Sequence, residues 1–134
     1  MDIAIAATDG SAVVELRNAR LVDCEGHYGA LVRLRYEGRQ YKRPFWFDRS
    51  DVAEFLKESR WLRRSISGEA LLPHAGRSDF LLLSRKGGAW QLGGKVLQED
   101  HPDMHVRFTL PISSPDVDRF LSACTELMAS ATPD

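Results

Sequence analysis

Cysteine is scarce in this chain: Cys24 and Cys124 are the only two among 134 residues. Small secreted scaffolds held by disulfides are Cys-dense, so two widely separated thiols point instead to a reducing compartment. Long apolar runs are missing as well. No stretch reaches the ~20 apolar residues that a membrane span needs. The opening MDIAIAATDG has no basic segment ahead of its short apolar run, which sets it apart from a signal peptide. The expected location is therefore the cytoplasm, with no membrane association. Net charge is close to absent, at −1, with an isoelectric point near 6.4. That falls short of the basic footprint of most nucleic-acid-binding domains.

What is present suits a packed fold. The hydrophobic fraction is 43% and the charged fraction 28%, both close to globular averages, so disorder is not expected. The length fits a single domain over 1–134, with 1–10 and 130–134 as flexible ends. A chain of this size buries roughly two-thirds of its unfolded surface, enough for a core without metal or disulfide.

Periodicity predicts the elements. Val14, Leu16, Ala19 and Leu21 alternate within 11–23 as a strand or a bent pair, and Glu25-Gly26-His27 reads as a turn. Val32, Leu34 and Tyr36 line one side of a strand over 29–36, with Arg33 and Arg35 on the other. Glu37-Gly38 is a hairpin signal, and the return strand over 39–47 faces Tyr41, Phe45 and Phe47 one way. Pro44 cannot donate to a ladder, so that strand belongs at an edge or is broken there. A helix follows, with Ser50 as N-cap, Asp51 in its first turn and Val52, Phe55, Leu56, Ser59 and Leu62 on one face, ending near Arg63 or Arg64.

A second β-rich stretch comes next: 68–72, 79–84, a Lys86-Gly87-Gly88 turn, and 89–98, where Gly93-Gly94 marks a bulge or a close backbone approach. In the strand over 104–110, Met104, Val106, Phe108 and Leu110 alternate against His105, Arg107 and Thr109. Ser114 caps the last helix, Pro115 and Asp116 follow, and Val117, Phe120, Leu121, Cys124, Leu127 and Met128 form its apolar stripe. The class is α+β: two mostly antiparallel β-meanders, each followed by an amphipathic helix packed on the sheet. The helices echo one another. Asp51-Val52-Ala53-Glu54-Phe55-Leu56 returns 65 residues later as Asp116-Val117-Asp118-Arg119-Phe120-Leu121. Shared helix-start chemistry accounts for such an echo as readily as a repeat does.

No catalytic constellation emerges. His101 and His105 on a strand stand about 13 Å apart, too far for one metal. Pro102-Asp103 argues against the helix that would bring them together. His74 follows Pro73 in a loop without an evident partner. Cys24 and His27 form a lone Cys-x-x-His, without the further ligands of a zinc site or the third group of a nucleophilic dyad. The glycine pairs lack the Lys-Ser/Thr of a phosphate loop, and no Gly-x-Ser-x-Gly elbow occurs. A binding protein without catalysis, metal or cofactor is the expectation.

Charge and aromatics mark the candidate surface. From Val32 to Arg64 there are ten basic and five acidic residues, and from Val96 to Asp134 two basic and seven acidic. Arg33, Arg35, Arg39, Lys42 and Arg43 share the predicted hairpin with Tyr36, Tyr41 and Trp46. Trp46, Trp61 and Trp90 are by default core or sheet-covering residues. Trp61, one position off its helix's apolar stripe and flanked by Arg60, Arg63 and Arg64, has the make-up of an interface hot spot. Arg33, Arg35, Arg39, Lys42, Arg43, Arg60, Trp61 and Arg64 are thus the candidate partner-binding residues, with another protein as the expected partner. The alternative is a nucleic-acid-binding accessory domain that uses the basic aromatic hairpin 33–47.

One resemblance follows from the order of the motifs. Phe45-Trp46-Phe47-Asp48 runs into Asp51-Val52-Ala53-Glu54-Phe55-Leu56. Gly68-Glu69-Ala70-Leu71-Leu72 and Phe80-Leu81-Leu82-Leu83 follow, then Gly87-Gly88, Gly93-Gly94, Val106-Arg107-Phe108-Thr109-Leu110 and a closing Phe120-Leu121 helix. This layout, over roughly Ala30 to Met128, resembles the WapI-type immunity proteins of bacterial polymorphic toxin systems. It departs from them in Pro111-Ile112-Ser113-Ser114-Pro115, where similar proteins carry a more acidic link. The resemblance implies a non-enzymatic inhibitor that binds a cognate toxin. It carries over no shared binding residues, because each such protein contacts its own toxin.

Overall fold

A computed structural model describes residues 1–75, 79–98 and 101–129 of the chain. The first four strands, β1 (Ile3–Ala6), β2 (Ala12–Leu21), β3 (His27–Tyr36) and β4 (Arg39–Asp48), form an antiparallel sheet in the order β1-β2-β3-β4, here sheet A. Helix α1 (Arg49–Leu62) follows. Strands β5 (Gly68–Pro73), β6 (Phe80–Lys86), β7 (Ala89–Gln98) and β8 (His101–Pro111) form a second antiparallel sheet in the order β5-β6-β7-β8, sheet B, and helix α2 (Ser114–Met128) closes the chain. Two meanders, each followed by an amphipathic helix, are the predicted α+β architecture, and they make two sheets.

Turn chemistry sets the meanders. Glu37 and Gly38 both have positive φ, 52° and 75°, the geometry that continues the twist of the β3–β4 hairpin. β4 lies at the edge of sheet A, as Pro44 requires. Gly93 and Gly94 are a close approach and not a bulge, since the register on either side of them is continuous. A Cβ at Gly94 would lie 2.5 Å from the Phe80 carbonyl oxygen and 2.9 Å from the Phe108 ring. The register shifts elsewhere, at a bulge between Arg17 and Arg20 and at an irregularity between Leu97 and Gln98.

Each helix covers the sheet it does not follow. α1 packs mainly on β5, and α2 on β1 and β2. The helices meet at equivalent positions of the echo, with the Phe55 and Phe120 rings edge to face at 5.8 Å and 87°. Arg63 near the end of α1 pairs with Asp118 near the start of α2, and Arg49 at the start of α1 donates to the Met128 carbonyl, so the two run antiparallel. Their buried residues, Val52, Phe55, Leu56, Ser59 and Leu62 on α1 and Val117, Phe120, Leu121, Cys124 and Leu127 on α2, join both sheets in one core cluster. Burial pushes the Cys124 thiol up to about 12, which leaves it an inert packing residue.

The structure corrects several expectations. The N-cap of α1 is Asp48, not Ser50: β4 runs directly into the helix, and the Arg49 N–H is bound by the Gly26 carbonyl of the β2–β3 turn at 2.9 Å. The N-cap of α2 is Ser113, whose hydroxyl accepts from the Asp116 N–H. Residues 3–6, within the expected flexible start, are strand β1. β8 begins at His101, ahead of its visible alternation. The segment 130–134 and the side chains of His101 and Met104 lie outside the described residues.

Candidate functional site

The eight candidate residues fall into two groups on different parts of the fold. Arg33, Arg35, Arg39, Lys42 and Arg43 belong to the β3–β4 hairpin of sheet A, and Arg60, Trp61 and Arg64 to the far end of α1. The hairpin group divides again by face. Register pairs Arg33 with Lys42 and Arg35 with Gln40, on the face turned away from the core. Arg39 and Arg43 pair with Tyr36 and Val32 on the opposite face, beside Tyr41 and Phe45, where Arg43 is half-buried. One basic cluster at the hairpin is therefore not formed: alternation along β4 sends its cations to both sides.

At the end of α1, Trp61 is 62% exposed and Ile66, in the α1–β5 connection, 74%. The Trp61 ring reaches over the start of β5, where a Cβ at Gly68 would meet it at 3.3 Å. Arg60, one step round the helix, lines with Arg63 a groove of about 420 Å³ between α1 and α2. Arg64 is exposed beside them. Arg85 of β6 holds this corner in place. Its guanidinium donates to the Leu62, Arg63 and Ser65 carbonyls at 2.9–3.1 Å and stands 4.7 Å over the Trp90 ring. Leu62 ends α1, Arg63 is its C-cap and Ser65 follows, so a cation from sheet B gathers the carbonyls where the chain leaves the helix. Nothing near Arg85 in sequence announces this contact.

Trp90 is buried, as expected of a core tryptophan, whereas Trp46 is 45% exposed on the outer face of sheet A. His74 is not a partnerless loop residue. It is buried and stacks on Phe45 at 5.0 Å, and its Nδ1 accepts from the Trp46 N–H at 2.8 Å. With the Ala75 N–H donating to the Trp46 carbonyl at 2.6 Å, it seals part of the β4 edge. His105 lies 3.4 Å from Asp79, whose other oxygen accepts from the Leu97 N–H.

The β2–β3 turn is more elaborate than a cysteine and a histidine side by side. His27 places Nδ1 2.7 Å from Asp23 and Nε2 3.4 Å from Asp48, so both ring nitrogens face carboxylates. Asp23 also accepts from the Glu25 and His27 N–H groups. Its hydrogen bond to His27 holds the Asp23 carboxyl below the usual range, and the same bond, with the nearby carboxylates, raises His27. One ligand atom each of Asp23, Glu25 and His27 lies within 4.8 Å of the others, a grouping missed when Cys24 alone is weighed with His27. The Asx turn and the ion pairs account for this arrangement by themselves. No protein-family model, curated protein or solved structure matches this chain.

Proposed function

We propose that this protein is a non-enzymatic protein-binding module that engages its partner through the end of α1. The observation that carries this reading is the exposed pair Trp61 and Ile66, set among Arg60 and Arg64 on a corner pinned by Arg85. Binding energy concentrates in a few Trp and Arg side chains, most effectively when a rigid element presents them. The resemblance to WapI-type immunity proteins supplies a class of partner, a toxin that is bound and blocked.

The test is affinity capture from a native lysate with wild type and the Trp61→Ala/Arg60→Ala double variant. Wild type should retain one protein in near-equal amount, and the variant should lose it by tenfold or more, as expected of a hot spot of about 2 kcal/mol. Both side chains are exposed, so the variant should keep its fold, checked by circular dichroism. Undiminished capture by a folded double variant would remove this site.

A further inference from the structure

The outer face of sheet A collects cations that neither the hairpin nor the linear sequence groups together. Successive cross-strand rows read Val13–Arg35–Gln40, Glu15–Arg33–Lys42, Arg17–Leu31–Pro44 and Arg20–Gly29–Trp46. Their alternates Val14, Val32, Leu34 and Phe45 are buried, which fixes these rows as the face opposite the core. Arg20 belongs to them only because of the bulge. Strict alternation from Arg17 would turn Arg20 inward, but Asn18, at φ 54°, takes up an extra residue and brings Ala19 in and Arg20 out. The rows carry five cations, Arg17, Arg20, Arg33, Arg35 and Lys42, against one carboxylate, Glu15. Glu15 is shared between Arg17 at 3.7 Å and Arg33 at 3.9 Å.

The same face holds an exposed aromatic. The Trp46 indole leans over Gly29, where a Cβ would come within 3.2 Å of the ring, so the absence of a side chain there lets the indole lie against the sheet. Beside it is a groove of about 180 Å³, with Gly29 and Leu31 as floor and Arg20, Pro44 and Trp46 as walls. Past the Trp46 row the sign changes, at Asp48, Asp23 and Glu25. The cationic strip therefore runs from Arg35 to Gly29, about 20 Å at ~3.3 Å per residue. Screening at physiological salt limits exposed charges to ~8 Å, so these local rows, and not the net charge of −1, set what the face attracts.

The geometry points to this face as a binding surface for a short stretch of single-stranded nucleic acid. Phosphates lie along Arg33, Arg35 and Lys42, and one base stacks on Trp46 beside Arg20. A cationic track interrupted by an accessible π-face is how such strands are held without sequence readout. An acidic protein would meet the cations as well, but in a nucleic-acid strand every unit brings a phosphate and a planar base together, which matches cations and an indole set side by side on one face. The site shares no residue with the end of α1, so it stands or falls independently of the protein-binding reading.

The experiment is fluorescence anisotropy with labelled oligothymidylate and oligouridylate and the full chain, titrated from low to physiological salt. Binding should weaken with a log–log salt slope of about −2 to −3, as for three or four phosphate contacts on a single strand. Trp46→Ala should weaken it about fivefold or more. Arg35→Glu with Lys42→Glu, both exposed, should abolish it, whereas Arg39→Glu and the Trp61→Ala/Arg60→Ala variant should leave it within about twofold. Absence of binding at low salt overturns the proposal, as does binding that Arg35→Glu/Lys42→Glu leaves unchanged. Loss of a captured acidic protein in that charge-reversed variant, without oligonucleotide binding by wild type, assigns the face to protein and overturns it equally.

Discussion

His27 ties three segments through one imidazole. Asp23 anchors the β2–β3 turn, Asp48 ends β4 at the N-cap position of α1, and the ring stands between them. The raised His27 contributes stability that is fully present below the unfolded histidine value of ~6.5 and fades as pH rises through its higher folded value. The lowered Asp23 contributes stability above its unfolded value of ~3.9, lost as pH falls through its lower folded value. The turn is thus firmest from mildly acidic to near-neutral pH and loosens on the alkaline side. Melting temperatures of wild type and His27→Ala should differ most near about pH 6 and converge as the solution becomes alkaline. A gap that holds constant across that range would show that the ring acts only by packing. The sequence shows Asp23 and His27 four apart, but nothing in it places Asp48, twenty-one residues past His27, on the other ring nitrogen. The Arg85 cap of α1 escaped notice for the same reason. A cation that serves the carbonyls of another element leaves no local pattern.

At the scale of elements, periodicity carried far. Every buried position of both helices stands in the predicted apolar stripes, because a helix that must bury one face repeats its apolar residues every three or four positions. Helix starts were less legible. Ser50 and Ser114 are good capping residues, but a neighbouring residue with extended backbone took the position in each case, Asp48 and Ser113. The echo between the helices gains a physical counterpart in the Phe55–Phe120 contact. An edge-to-face aromatic pair is worth about 0.5–1.5 kcal/mol beyond the area it buries. A double-mutant cycle with Phe55→Leu and Phe120→Leu should return a coupling of that order by urea denaturation. Strictly additive effects would mean that the rings merely share a core.

For the whole molecule, crossing matters most. Because α1 lies mainly on sheet B and α2 on sheet A, neither meander with its own helix has its apolar face covered. Unfolding should therefore be a single cooperative transition, with matching calorimetric and van't Hoff enthalpies and coincident far-UV and aromatic signals. Two resolved transitions would show that each half folds alone. The sequence by itself determined the order of the elements from β2 onward, the α+β class, an edge or a break at β4 and the apolar faces, all of which follow from local period, turn residues and proline's missing donor. Only the tertiary structure decided that the strands make two sheets, that the helices exchange partners, and that Arg17 and Arg20 join Arg33, Arg35 and Lys42 on one face. Those outcomes depend on register and on one bulged residue, and a shift of a single position sends a side chain to the opposite face.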